Sequence, residues 1–545
     1  MKRNRMWLGV ASTALVVLLA ACGSKDSGAS KGQTINRMET DVIATMDPAL
    51  ATDVISGQAM TNAYAGLYRF EGKKLTPDMA ASMAKVSKDQ KTYTFTIRKN
   101  AKWSDGSRVT AKDFQYAWQR AVDPATKGQY AYIFSGVENA NDIMTGKKKP
   151  STLGAKALSD TKFQVKLDTP MPYFEKMITL QVFDPVKKSA VTKYGDKFGT
   201  KSSTLVFNGP YQLKNWNGSD NTWRFTKNNS YWNKKNVKIA TIKNQVVKEN
   251  STALNLFQDG KLDDVVVSGD AATQMKKNKA YNTVFENSTF YLEMNQNKNK
   301  LFRSQKVRQA FSQAINRENF IKKVLGNGSQ PVSTVVPAKM FYNDNGQDFA
   351  TEADKSVKQY REYDLKNAQK LFAAGMKEEG LTDASFTILT DDTDAAKSTV
   401  EYLQNAFSKL ATGNLKLDIK TQTVPFKTRL QLSTDHKFDM VVSAWSADFP
   451  DAISFLDLFT TGNDYNRGQW SNAEYDKLVK ASKTTDVTSK TKRWNDLEQA
   501  AQILAKDEGV IAIYQRGSAH LTKTSINGMT MGPGGMFNFV GATNK

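Results

Sequence analysis

The feature that most constrains the fold is an alternation of strand-like and helix-like segments in the last third of the chain. Residues 386–389 predict a strand, the apolar spacing over residues 400–410 predicts a helix, and residues 415–419 alternate as a second strand. A strand, a helix and another strand in this order form a βαβ unit, which places parallel strands in a sheet covered by helices. The chain is therefore predicted to have an α/β fold.

The stretch after this unit contains the strongest candidate for a functional residue. Residues 438–445 are mostly apolar and lack Gly and Pro, which predicts a buried strand. Pro450 marks the exit of this strand into a loop, so Asp448 follows the strand's carboxyl end directly. Open α/β sheets bind their ligands at that edge. Asp448 is thus a candidate binding residue, although it could instead cap a helix that begins near Asp451.

Length and charge narrow the class of protein further. A chain of 545 residues exceeds a single compact core, so two or three domains are expected. The formal net charge is +22, from 76 Lys and Arg residues against 54 Asp and Glu residues. The lysines are spread along the chain and no nucleic-acid-binding motif accompanies them. We therefore expect no nucleic-acid partner, and a solvated surface that faces an anionic wall or membrane.

The first 32 residues predict where the protein is located. A basic start precedes a short apolar run at residues 6–21, which is typical of a secretion signal and too short for a membrane span. The run ends in Leu-Ala-Ala-Cys, which resembles the lipobox of bacterial lipoproteins, where the cysteine is acylated after cleavage. We expect a signal peptide at residues 1–21, a lipid on Cys22, and a flexible tether at residues 22–32. The protein would then be lipid-anchored at the extracellular face of the cell membrane.

The residues that most catalytic sites need are scarce. The chain has 2 histidines, His436 in a polar loop and His520 in what we expect to be a solvated tail, so a catalytic triad or a multi-histidine metal site is disfavoured. The acidic pairs at residues 263–264 and 391–392 are predicted to lie in turns. No phosphate-binding loop, dinucleotide fingerprint or nucleophile elbow occurs. We therefore predict no enzyme, no metal and no cofactor.

A series of motifs identifies a family that this chain resembles. Residues 101–120 read AKWSDGSRVTAKDFQYAWQR, in which Thr110 and Asp113 predict a capping box at the start of an amphipathic helix. This stretch is similar to the signature of the family-5 extracellular solute-binding proteins, the oligopeptide- and dipeptide-binding components of ABC importers. Further motifs resemble landmarks of that family in the same order, at Met46-Asp47-Pro48, Asn208-Gly209-Pro210-Tyr211, Asn229-Ser230-Tyr231-Trp232 and residues 307–317.

The resemblance implies a particular division of the chain. It implies a periplasmic-binding-protein-like α/β fold, in which two lobes joined by crossing strands close over a ligand about a hinge. Peptide binders of this size have a third, smaller domain. The expected boundaries are residues 33–65, 190–290 and 510–545 for lobe I, 66–189 for the smaller accessory domain of lobe I, and 291–509 for lobe II.

The resemblance also implies a function. The protein would capture oligopeptides outside the cell and deliver them to the permease subunits of an ABC transporter, as a monomer and without chemistry on the peptide. Other members of the family bind a pheromone peptide, a nickel chelate, haem or an oligosaccharide. A hydrolase and a structural adhesin are the alternatives outside the family.

Site residues are implied as well. In oligopeptide binders of the family, an aspartate at the position of Asp448 pairs with the α-ammonium of the peptide, which fits the strength of a charge-assisted hydrogen bond. Val442 stands where one such binder carries an arginine that can meet the carboxylate of a short peptide, so longer peptides are expected here. The other implied ligand contacts are Thr52, Asp53, Val54, Tyr130, Phe426, Ala444, Trp445 and Ser446.

Overall fold

The computed structural model describes residues 33–545. The predictions for the signal peptide, the lipid on Cys22 and the tether lie outside the described residues. The strands, in chain order, are β1 (Gln33–Glu39), β2 (Tyr68–Glu71), β3 (Lys74–Pro77), β4 (Lys85–Val86), β5 (Thr92–Thr96), β6 (Ala155–Ser159), β7 (Lys162–Lys166), β8 (Tyr211–Lys214), β9 (Thr222–Lys227), β10 (Ile239–Val246), β11 (Asp264–Val267), β12 (Tyr281–Met294), β13 (Gln330–Pro331), β14 (Asp383–Asp391), β15 (Lys416–Val424), β16 (Met440–Ser446), β17 (Ile511–Thr522), β18 (Ile526–Asn527), β19 (Thr530–Met531), β20 (Phe537–Asn538) and β21 (Thr543–Asn544).

Helices pack against several strands of the larger sheet. The α-helices are α1 (Val54–Ala63), α2 (Ala111–Ala121), α3 (Ala140–Met144), α4 (Phe174–Met177), α5 (Lys188–Tyr194), α6 (Asn250–Gln258), α7 (Gly269–Met275), α8 (Gln305–Ala314), α9 (Arg317–Phe320), α10 (Phe349–Arg361), α11 (Leu365–Glu378), α12 (Asp394–Phe407), α13 (Phe426–Thr434), α14 (Ile453–Leu456), α15 (Ala473–Lys483) and α16 (Lys490–Asp507). Short 3-10 turns lie at Pro124–Thr126, Gln129–Phe134, Pro150–Thr152, Gln181–Phe183, Gly195–Lys197, Ser202–Thr204, Lys234–Asn236, Lys300–Arg303 and Asp457–Phe459, and a π-helical turn lies at Ile321–Leu325. Within residues 33–545, no helix is both long and apolar enough to cross a membrane.

The larger sheet has 11 strands and contains two parallel regions. Its order is β15-β14-β16-β12-β17-β11-β1-β10-β9-β8, and β13 pairs with β17 outside this path. At one end β14 runs parallel to β15 and β16, and at the other β1 runs parallel to β10 and β11. The predicted βαβ unit is β14, α12 and β15, and α12 packs on both strands. The prediction of an α/β fold is confirmed.

Two long strands connect the parallel regions. β12 and β17 pair antiparallel with each other, β17 also pairs with β11, and β12 also pairs with β16. Their pairing register shifts between Phe285 and Thr289, and such an irregularity bends a strand locally. The strands predicted at residues 290–295 and 510–514 are therefore present as crossing strands. They are longer than predicted because polar residues continue each strand beyond its apolar part.

A second sheet forms within the region that carries the signature motif. It has four antiparallel strands in the order β4-β5-β7-β6, and α2 packs against it. The predicted capping box is present, because the Asp113 carboxylate accepts a hydrogen bond from the Thr110 N–H at 2.7 Å. Trp118 lies buried on the inner face of α2 and donates from Nε1 to the Phe183 carbonyl at 2.9 Å. The helix of the signature motif thus packs its buried aromatic residues against this sheet.

Two predictions about charged residues are wrong. His520 lies in β17 and is buried rather than solvated, with Nδ1 3.2 Å from Asp264 Oδ1. Asp264 begins β11 instead of lying in a turn, and it pairs with Arg37 Nε at 3.0 Å. Burial alone would raise the pKa of Asp264, but His520 and Arg37 together hold it below its ordinary value. The three side chains come from adjacent strands, so only the folded sheet brings them together.

Candidate functional site

A cavity of about 270 Å³ lies between the two parallel regions of the larger sheet. Its walls include the carboxyl ends of β14 and β16, the start of α1 and the segment between β10 and α6. Every ligand contact expected from the sequence lines this cavity, namely Thr52, Asp53, Val54, Tyr130, Phe426, Ala444, Trp445, Ser446 and Asp448. Residues nearly 400 positions apart in the chain therefore line one cavity.

Asp448 follows β16 closely and faces the cavity. Its side chain accepts a hydrogen bond from the Tyr130 hydroxyl at 2.9 Å, and its N–H donates to Ser454 Oγ at 2.8 Å. Asp448 is buried, with 8% of its surface exposed, and yet its carboxylate has no ion-pair partner in the part of the chain that the structure describes. Among the described residues no backbone N–H of α14 donates to the Asp448 carboxylate, which reaches this helix through the Ser454 hydroxyl at 3.4 Å, while the Ile453 N–H donates to Asp451 Oδ1 at 3.0 Å. Asp448 is thus left facing the cavity.

The surroundings of Asp448 disfavour its negative charge. Burial raises the pKa of Asp448 to about 7, although the hydroxyl groups of Tyr130 and Ser454 lower it in part. A buried carboxylate without a cation costs free energy, and an ammonium group would offset that cost through a charge-assisted hydrogen bond. The site is therefore electrostatically suited to a cationic group.

An aromatic group supports the Asp448 side of the cavity. The ring of Trp445 lies 6.0 Å from that of Tyr130 and 4.7 Å from that of Tyr465. Tyr132 stacks on Tyr130 with the ring centroids 6.1 Å apart. Burial raises the pKa of Tyr130 well above its ordinary value, and the Asp448 carboxylate raises it further, so this hydroxyl stays protonated as a donor. The sequence analysis missed Tyr132 and Tyr465, because Tyr132 lies in a 3-10 turn and Tyr465 in a turn far along the chain, and neither segment has a strand or helix periodicity that would have pointed to them.

Two backbone segments face each other across the cavity. Residues 52–54 are held in place because the Asp53 carboxylate caps α1 by accepting from the Ser56 N–H at 2.8 Å. On the opposite wall, β16 pairs with β12 along its whole length, but with β14 only as far as Val441. Residues 443–446 therefore have no strand on that side within residues 33–545. Alternate residues of an antiparallel strand point their backbone groups away from the partner, so this edge presents hydrogen-bonding groups.

A second group of charges lines the cavity away from Asp448. Lys248 Nζ lies 3.1 Å from Asp41 and 2.6 Å from Asp392, and Arg429 Nε lies 2.9 Å from Asp391. The prediction of turn positions for residues 391–392 holds only for Asp392, because Asp391 ends β14. These ion pairs could not be predicted from local sequence patterns, because the partners of each pair lie far apart along the chain.

Arg467 differs from these paired cations. It lines the cavity, is 7% exposed, and makes no ion pair with any acidic side chain among the described residues. Its guanidinium lies 5.2 Å from the centre of the Tyr465 ring, and its Nε has no hydrogen-bond partner in the described part of the chain. The cavity thus contains an anion without a cation, whereas the Arg467 charge acts on the buried Glu293, where it partly offsets the burial that raises the pKa of that carboxyl. Neither histidine of the chain lines it, and no cluster of potential metal ligands is found within residues 33–545.

Comparison with known sequences places this site in a family context. The family model described as bacterial extracellular solute-binding proteins, family 5 Middle, matches residues 74–467. A dipeptide-binding protein of Lactococcus lactis is 39% identical over 482 residues, which cover 86% of both chains. A dipeptide-binding protein of Bacillus subtilis is 31% identical over 515 residues, which cover 94% of this chain and 92% of the relative.

Solved structures agree with this match. Listeria monocytogenes OppA bound to peptide is similar with a TM-score of 0.89 and 36% identity, covering 95% of this chain and 100% of the other. The substrate-binding domain of an oligopeptide ABC transporter from Bacillus anthracis gives a TM-score of 0.90 at 32% identity, covering 95% and 99%. The pheromone receptor PrgZ gives 0.88 at 35% identity, covering 94% and 100%. The predicted α/β, periplasmic-binding-protein-like fold class is confirmed.

Proposed function

The chain belongs to the family-5 bacterial extracellular solute-binding proteins, and from this premise we propose that it captures oligopeptides outside the cell and delivers them to the permease of an ABC importer. Relatives at up to 39% identity are named as peptide-binding proteins, and a similar solved structure is described as bound to peptide. The observation that carries the proposal is Asp448, a buried carboxylate that faces the cavity without a cation.

Asp448 is proposed to bind the α-ammonium of the peptide. A free amino terminus is common to all unmodified linear peptides, so one carboxylate serves many sequences. The ammonium would supply the missing counter-charge, which brings the pKa of Asp448 back towards its ordinary range. The Tyr130 hydroxyl at 2.9 Å holds the carboxylate in place for this contact.

The peptide backbone is proposed to extend along the open edge of β16. Residues 443–446 offer backbone groups on the side that β14 leaves uncovered, and an extended peptide can add there as a further strand. The backbone of residues 52–54 would flank the peptide from the opposite wall, with Trp445 and Phe426 beside its side chains. Backbone pairing does not depend on side-chain identity, which favours broad specificity.

Val442 and Arg467 bear on the length of the peptide. Val442 lines the cavity and contributes no charge that could meet the carboxylate of a short peptide. Arg467 lines the same cavity and its Nε has no hydrogen-bond partner among the described residues, so we propose it as a group that interacts with peptide carbonyl or carboxylate oxygens. Peptides longer than three residues are the expected ligands.

Lobe closure is the proposed mechanism. The proposed boundaries assign residues 33–65, 190–290 and 510–545 to lobe I, 66–189 to its accessory domain and 291–509 to lobe II. Tyr130 and Asp448 then meet across the site from different parts, which supports a closed state that a bound peptide would favour. The register shift in β12 supplies a place for the crossing strands to bend.

The proposal also includes where the protein is located and its oligomeric state. An extracellular family fits a secretion signal, and we propose a lipid on Cys22 that anchors a monomer at the outer face of the cell membrane. The peptide would be released to the permease intact.

The experiment that tests this function uses Asp448→Asn and two peptides. Isothermal titration with a free-amine hexapeptide should show binding to the wild type and a loss of at least tenfold in the variant, because a charge-assisted hydrogen bond disappears. The N-acetylated form of the same peptide should bind weakly to both proteins, with little difference between them. Equal losses for both peptides would contradict the assignment of Asp448.

Controls separate the alternatives. Mass spectrometry of the peptide after incubation should recover it uncut, whereas fragments would indicate a hydrolase. Small-angle scattering should show a smaller radius of gyration once peptide is added, whereas a rigid adhesin would not change. No binding to a mixed library of peptides of four to ten residues would overturn the proposed function itself.

A further inference from the structure

A second pocket, of about 80 Å³, opens beside the main cavity. The two share Leu180, Gln181, Met536 and Asp448 in their walls, so the carboxylate proposed to hold the amino terminus borders both spaces. The second pocket is also lined by Asp184, a residue that the proposed function does not use. It therefore lies next to the position where a bound peptide would begin.

Asp184 is a buried acid without a partner. It is 5% exposed, and within residues 33–545 no group donates a hydrogen bond to its carboxylate or forms an ion pair with it. Burial raises its pKa well above the ordinary value, and the nearby Asp78 raises it further. Asp78, in contrast, accepts hydrogen bonds from Tyr231 at 2.9 Å and from Trp232 at 2.6 Å. Asp184 is the acid of this pocket that lacks such contacts.

The pocket's other charges do not compensate Asp184. Arg69 is the basic residue in its wall, but its guanidinium is engaged by Glu71, by the Tyr231 hydroxyl at 2.8 Å and by Asp78 at 3.9 Å. The opposite charges of Arg69 and Asp78 cancel, so the acidic groups of the pocket that remain without a basic residue are Asp184 and Asp448. The pocket therefore has a net acidic character and room for a cation.

The chain also leaves space for the Asp184 carboxylate. A Cβ added at Gly66 would lie 2.7 Å from Asp184 Oδ1, closer than side chains tolerate. Because position 66 is a glycine, the Asp184 carboxylate can occupy the wall of the pocket without being displaced by a neighbouring side chain.

We propose that Asp184 binds the cationic side chain of the first residue of the peptide, so that the protein prefers peptides that begin with Lys or Arg. The inference rests on the proposed function, because Asp448 has to fix the amino terminus. The first residue carries the α-ammonium, so its side chain starts beside Asp448 and is the one nearest to the second pocket. A side-chain ammonium or guanidinium then meets a carboxylate that has no other cation.

The test compares hexapeptides that differ only in the first residue, which is Lys, norleucine or Glu. Norleucine matches the aliphatic part of Lys without the charge. Titration calorimetry on the wild type should give an affinity about tenfold higher for the Lys peptide than for the norleucine peptide, and the lowest affinity for the Glu peptide. In Asp184→Asn the ratio between the Lys and norleucine peptides should fall to about one. Asp439→Asn, which changes a partly buried acid paired with Lys298 outside both pockets, should leave the ratio unaltered.

Each outcome has a distinct meaning. Equal affinity of the wild type for the Lys and norleucine peptides overturns the inference and leaves the proposed function standing. A preference that persists in Asp184→Asn overturns the assignment to Asp184. Failure of the wild type to bind any of the three peptides counts against the proposed function. If Asp184→Asn does not fold, the order of the three peptides on the wild type still decides whether the first residue is recognised by its charge.

Discussion

Asp264 and Asp448 are both buried aspartates at strand ends, yet their surroundings are opposite. Asp264 has Arg37 at 3.0 Å and His520 at 3.2 Å, and its pKa lies below the ordinary value. Asp448 has hydroxyl partners but no cation among the described side chains, and burial raises its pKa to about 7. The first carboxylate is satisfied by the fold, whereas the second becomes satisfied only when a ligand arrives. A missing partner, rather than a buried charge, marks the binding site.

Of the effects that would test this comparison between Asp264 and Asp448, the largest is expected to be a loss of stability on replacing Asp264. Asp264→Asn should lower the free energy of unfolding by about 3–5 kcal/mol, because Arg37 loses a buried counter-charge and His520 loses the carboxylate beside its Nδ1. Urea denaturation followed by circular dichroism measures the change. The folded fraction should still bind peptide, since neither Asp264 nor His520 lines the cavity. A change below 1 kcal/mol would show that this cluster is not structural.

The second effect is a dependence of affinity on pH. With a pKa of about 7, Asp448 is protonated in the empty protein at lower pH and must release that proton to pair with an ammonium. Affinity for a free-amine peptide should therefore fall towards about tenfold per pH unit below pH 7. It should also fall above about pH 8, as the peptide amine loses its proton. Titrations from pH 5 to 9 should thus give a maximum between about 7 and 8, and Asp448→Asn should lack the acidic limb.

The smallest effect is on stability at the binding site. The raised pKa of Asp448 means that its contribution to stability is present below about pH 4 and is lost as the pH rises through 7, where a buried carboxylate must ionise. Asp448→Asn avoids this cost and should be about 1–2 kcal/mol more stable than the empty wild type at pH 8. At pH 4 the two should be equally stable. A variant less stable than the wild type at pH 8 would break the contrast with Asp264.

The sequence predicted those features that depend on neighbouring residues. The apolar strand before Asp448, the capping box at Thr110 and the βαβ order all rest on local patterns, and the structure contains them. The contacts of Asp264 and His520 could not be found in this way, because 256 positions separate the two residues. Short polar segments such as theirs are typical of turns, and only pairing between distant strands buries them.

The candidate site was predicted partly from a local sequence pattern and partly from the resemblance to a family. Position at a strand exit made Asp448 a candidate, and the resemblance to a family supplied the proposed partner and the other lining residues. The unpaired state of Asp184 had no sequence signal at all, since Asp184-Pro185 is typical of a turn. Burial, missing partners and shared walls are properties of the folded chain, so they could be recognised only in the structure.

The open edge of β16 has a consequence for solubility. An unpaired strand edge on a protein surface is a template for aggregation, because another chain can pair with it. Residues 443–446 place such an edge inside a cavity rather than on the outer surface. The enclosure that would admit a peptide thus also protects the protein from self-association along this strand.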